Sequence, residues 1–125
     1  MKKIIEINGK DYEFVANLGT TDLYQKLTGE NLLSQLASYR NIKAGNPDVL
    51  AKSQGILDIY KKLAFVMHVQ ATAPDIKTMF NQMNEADYFG WIMQFDTSDL
   101  TPEFINGIVE LWSGTRKTHV QPKNP

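Results

Sequence analysis

The stretch from Ile56 to Ala71, ILDIYKKLAFVMHVQA, decides the fold. Ile56, Tyr60, Leu63 and Met67 recur at the i, i+4, i+7, i+11 spacing of one helix face. Ile59, Phe65, Val66 and Val69 fill most of the remaining circumference. A helix that is apolar nearly all round is normally a buried one. The spacing therefore predicts a central helix on which the rest of the chain packs.

On its N-terminal side, residues 3–15 read as a β-hairpin. Ile5, Ile7, Tyr12 and Phe14 alternate with polar neighbours, and Asn8-Gly9 stands between the two runs. A two-residue type I′ turn needs positive φ at both positions, which Asn and Gly tolerate most easily. A lone hairpin is marginal in water, so this one must lie on helices or extend another sheet. An open strand edge can recruit a second subunit, and self-association is expected on that ground. Thr20 or Thr21 then caps a short helix with Leu23, Tyr24 and Leu27 inward, and Gly29 stops it. Leu32, Leu33, Leu36, Ala37 and Tyr39 form the next helix face, ending near Arg40. Asn41 to Pro47 is a loop, and Asp48 is a candidate cap for the central helix.

Pro74 closes the central helix or opens the next. Ile76, Met79, Phe80 and Met83 give an amphipathic pattern, and Asn84 with Asp87 resembles a cap. A helix over about 85–95 is rich in aromatics: Tyr88, Phe89, Trp91 and Phe95. Thr97 to Asp99 is a turn. Thr101-Pro102 starts a last helix, whose apolar face is Phe104, Ile105, Ile108, Val109, Leu111 and Trp112. The expected fold is α+β, a mostly α-helical single domain over 1–113 with an N-terminal β-hairpin. Residues 114–125, polar and carrying two prolines, are expected to be a flexible tail.

Composition narrows the function classes. A length of 125 residues suits one domain with a real core. There are no cysteines, which excludes disulfides, thiolate metal sites and cysteine nucleophiles. The opening MKKIIEINGK is too short in apolar residues for a signal peptide, and no apolar run is long enough to span a membrane. A soluble protein is expected. The net charge of −1 conceals a segment, 75–113, that carries one lysine against seven carboxylates. Without a basic face the chain is a poor nucleic-acid binder. The acidic segment is either a solvated face or a surface for a basic partner.

Catalytic motifs are absent. His68 sits between Met67 and Val69 as a packing residue, and His119 has no constellation around it. Asp96 and Asp99 lack the further ligands of a calcium loop and suit turn duty instead. Ser34 and Ser53 have no base to activate them. No enzyme activity, metal or cofactor is expected. What remains is a concentration of large aromatics in acidic surroundings. Either they all serve the core, or some reach the surface as an interface for a partner helix with basic flanks. The candidate partner-binding residues are Glu85, Asp87, Tyr88, Trp91, Phe95, Glu103 and Trp112.

The layout resembles the tail assembly chaperones of long-tailed bacteriophages, especially those of Gram-positive hosts. The points of similarity are a short lysine-rich strand, a hairpin of the form I-x-I-N-G-K-x-Y-x-F from Ile5 to Phe14, helices without catalytic motifs, and a polar tail. The resemblance implies a non-enzymatic protein of the host cytoplasm, absent from the mature virion. It would coat the tape measure protein, keep it soluble and bring tail tube subunits to it. The resemblance also implies a longer frameshifted product. Pro122-Lys123-Asn124 permits codons that contain the slippery heptamer A AAA AAC. The competing assignment is a structural or accessory subunit of a phage tail or another complex.

Overall fold

The computed structural model describes residues 1–38 and 49–119. Its order is hairpin, then helices: β1 (Lys2–Ile7), β2 (Lys10–Val15), α1 (Thr20–Thr28), α2 (Leu32–Ala37), α3 (Val49–Thr72), α4 (Ile76–Asn81), α5 (Glu85–Ile92) and α6 (Pro102–His119), with a 3-10 turn at Thr97–Asp99. The protein is a mostly helical α+β domain with an N-terminal antiparallel hairpin. The expected loop at Asn41–Pro47, the Asp48 cap, the Tyr39–Arg40 helix end and residues 120–125 lie outside the described residues.

Local chemistry explains the connections. Asn8 at φ 55° and Gly9 at φ 79° make the I′ turn, which sets the register from Ile7 opposite Lys10 to Lys2 opposite Val15. Gly29 at φ 75° ends α1, its N–H bonded to the Gln25 carbonyl. Thr20 is not the cap of α1 but its first residue, after Gly19. Its buried hydroxyl accepts from the Asn17 N–H at 2.9 Å and donates to Gln70 Oε1 at 2.7 Å, fastening α1 to α3. Asn31, Asp75 and Asn84 cap α2, α4 and α5 through their side chains.

α3 is the centre of the molecule. Leu63, Ala64, Phe65, Val66 and Met67 are all buried, five consecutive residues that point in every direction around the helix. β2 lies along one side of it, and α1, α2, α5 and α6 pack on the others. α6 runs beneath β1. Gly107 faces Ile5 there, and Lys3 pairs with Glu110 at 3.3 Å.

Two expectations need correction. The α4 pattern is not an inward face: Met83 is buried, but Ile76 and Phe80 are exposed. Two turns between capped ends place this short helix on the surface, where the Lys26 ammonium covers the Phe80 ring at 4.4 Å. The polar segment after 113 also does not begin as a tail, because α6 continues to His119. Gly114 lies against the Met1 side chain, so the first residue of the chain supports this end of α6. The next helix breaker in sequence is Pro122.

Candidate functional site

α5 divides its side chains between two faces. Tyr88, Trp91 and Ile92, at i, i+3 and i+4, turn inward. Glu85, Phe89 and Met93, at i, i+4 and i+8, form an outward stripe, with Phe89 50 % and Met93 76 % exposed. Asn84 fixes the start of the helix. Its Oδ1 accepts from the Asp87 N–H at 2.9 Å, and its Nδ2 donates to the Asp87 carboxylate at 2.8 Å.

At its lower end the stripe meets a cleft of about 350 Å³. Trp91, Ile92, Met93, Leu100 and Phe104 line it. Phe95 and Ile7 also line it, while Lys61 of α3, Asp96 and Asp99 supply the charged groups. The 3-10 turn is capped from within: the Asp99 carboxylate accepts the Asp96 N–H at 2.9 Å. That is the turn duty expected of this pair.

Aromatic packing holds Trp91 in place. His68 stacks on the indole at 5.4 Å, Phe65 lies at 5.8 Å, and Phe95 meets it edge-on at 5.0 Å. Phe95 also meets Tyr12 of the hairpin at 5.3 Å. His68 is the packing residue expected, with its Nδ1 at 2.9 Å from the Glu13 carbonyl. A carbonyl only accepts, so Nδ1 carries the hydrogen. The Trp91 indole N–H is buried and meets no acceptor among the described residues.

The expected site residues separate into four groups. Trp91 and Phe95 come together in the cleft. Glu85 and Asp87 are exposed on the first turn of α5. Tyr88 and Trp112 are core: both are buried, Tyr88 edge-on to Phe65 at 5.7 Å. Burial, with a smaller contribution from the Asp58 charge, pushes the Tyr88 hydroxyl up to about 12. Glu103 is exposed in the first turn of α6 but does not line the cleft. Phe89 and Met93 are the residues missed. Their i+4 and i+8 spacing from Glu85 was the available signal.

The cleft can bind by shape and charge. Among the described residues, no group of three or more His, Cys, Asp or Glu converges as a metal site. No described helix is long and apolar enough to cross a membrane. Comparison with protein-family models, curated proteins and solved structures gave no match.

Proposed function

We propose that this chain is a non-enzymatic tail assembly chaperone of a long-tailed phage, and that it holds an amphipathic helix of the tape measure protein in the cleft beside α5. One observation carries the binding site: an exposed stripe, Glu85–Phe89–Met93, runs along α5 into an apolar cleft. A helix laid on that stripe would bury its apolar ridge against Phe89 and Met93 and set one large side chain between Trp91 and Phe104. Glu85, Asp96 and Asp99 would meet basic residues flanking the ridge. The choice of tape measure protein rests on the resemblance of the hairpin and helical layout. In this role the protein acts in the host cytoplasm, delivers tail tube subunits and leaves before the virion is complete.

Co-expression tests the proposal. The wild-type chain should keep the tape measure protein in the soluble fraction and co-purify with it, less so as salt rises. Phe89→Glu and Met93→Glu change exposed side chains, so the fold should survive while co-purification falls. Retained co-purification by both variants would remove the cleft as the site. A tape measure protein equally insoluble with and without the chain would remove the function.

A further inference from the structure

The phase of the hairpin ladder determines which backbone groups of β1 remain open. The Ala16 N–H donates to the Met1 carbonyl at 2.9 Å, and the Met1 ammonium donates to the Ala16 carbonyl at 3.0 Å. Such doubly bonded pairs alternate along an antiparallel ladder. Lys3–Phe14, Ile5–Tyr12 and Ile7–Lys10 are therefore the bonded pairs. The N–H and C=O of Lys2, Ile4 and Glu6 point away from β2, and no other described segment hydrogen-bonds to them. The far edge of β2 differs, because the Glu13 carbonyl there takes its hydrogen from His68 of α3.

The side chains on the open edge form a pattern. Lys2, Ile4 and Glu6 share the outer face, opposite α6, and all three are exposed, Ile4 by 55 %. An open edge strand with an exposed isoleucine at its middle is a template for pairing. The order cation, apolar, anion is also self-complementary when the strand is turned end for end. Glu6 already stands opposite Asp11 in its own hairpin, a like-charge pair that a further cation would relieve.

We infer that β1 pairs with β1 of a second copy, antiparallel about a twofold axis at Ile4, to give one four-stranded sheet. Ile4 meets the partner's Ile4 at the axis. Lys2 stands opposite the partner's Glu6, and the symmetry repeats that ion pair. Each of these pairs uses the open backbone groups of Lys2, Ile4 and Glu6, so the hydrogen bonds and the side-chain contacts select the same register.

The test uses the full chain with any tag at its C-terminus, analysed by sedimentation velocity and amide exchange. The wild type should sediment at twice the chain mass as its concentration rises. The Ile4 and Glu6 amides should become protected together with dimerisation. Lys2→Glu makes the edge wholly acidic and Glu6→Lys makes it wholly basic. Each turns the two pairs between copies repulsive, Lys2→Glu also removing the 3.4 Å ion pair with Glu13 inside each hairpin, and should raise the dissociation constant at least about tenfold. An equimolar mixture of the two variants should regain the dimer, since opposite charges again face each other; this recovery also shows that both variants fold. A wild type that stays monomeric at the highest attainable concentration overturns the inference. So does a dimer that both variants form as well as the wild type.

Discussion

His68 donates through Nδ1 to the carbonyl oxygen of Glu13 at 2.9 Å, so a single hydrogen bond across 55 positions of sequence fastens the middle of α3 to the outer edge of β2. Replacing His68 with Leu keeps most of the volume and removes the donor. The expected loss is about 1–3 kcal/mol, the cost of leaving a partly buried carbonyl unpaired. Urea unfolding should show a lower midpoint at an unchanged slope. An unaltered midpoint would mean that water replaces the imidazole without cost.

Leu63 and Met67 are fully buried at the centre of α3. Leu63→Ala and Met67→Ala should each cost ~2–5 kcal/mol, the range for large apolar side chains whose surroundings only partly collapse. Thermal melts followed by circular dichroism would reveal this. A silent change at either position would argue against α3 as the core.

Gly107 is required by proximity. A methyl group built on it would lie 2.7 Å from Ile5 Cδ1 and 3.3 Å from Cγ1. Gly107→Ala gains about 1 kcal/mol of helix propensity but overpacks the contact between α6 and β1, at a cost of about 1–3 kcal/mol. The net effect should be destabilising. Ile5→Val removes the Cδ1 atom, so the double variant should lose less than the sum of the single losses. Strict additivity in that cycle would show that the two residues do not compete for space.

Tyr88 supplies a pH dependence. Its hydroxyl is held up to about 12 in the folded chain against an ordinary 10.0. The unfolded chain therefore gives up this proton first. The stabilising effect is complete below pH 10 and is lost as pH rises toward about 12. Urea stability measured across that window should decline, and Tyr88→Phe should flatten the decline. A late tyrosinate absorbance step should vanish with the same substitution.

The features legible in sequence were those fixed by single residues or long patterns. Asn8-Gly9 announced the I′ turn and Gly29 the end of α1, because positive φ selects few residue types. α3 was legible from an apolar surface that runs all the way round it. The exposure of Ile76 and Phe80 was not, since a short amphipathic pattern does not tell which of its residues find a neighbour. The length of α6 was hidden for a related reason. Its polar end resembles a tail, and the Met1–Gly114 contact joins opposite ends of the chain.

The candidate site was half legible. Trp91 and Phe95 were named from composition, but so were Tyr88 and Trp112, which went to the core. Aromatic content does not separate the two uses. The cleft itself gathers Ile7, Lys61 and Phe104 from three distant parts of the sequence, and nothing local to any of them signals the meeting.

The salt bridge of Lys3 to Glu110 spans 107 positions, and Gly107 covers Ile5 beside it. β1 therefore leaves the ribosome long before the helix that covers it exists. At about 5–20 residues per second, β1 waits on the order of 5–20 s for the helix that covers it. The last described helix closes over the first strand. Until then β1 lacks that cover, and any truncation before α6 would leave it so permanently.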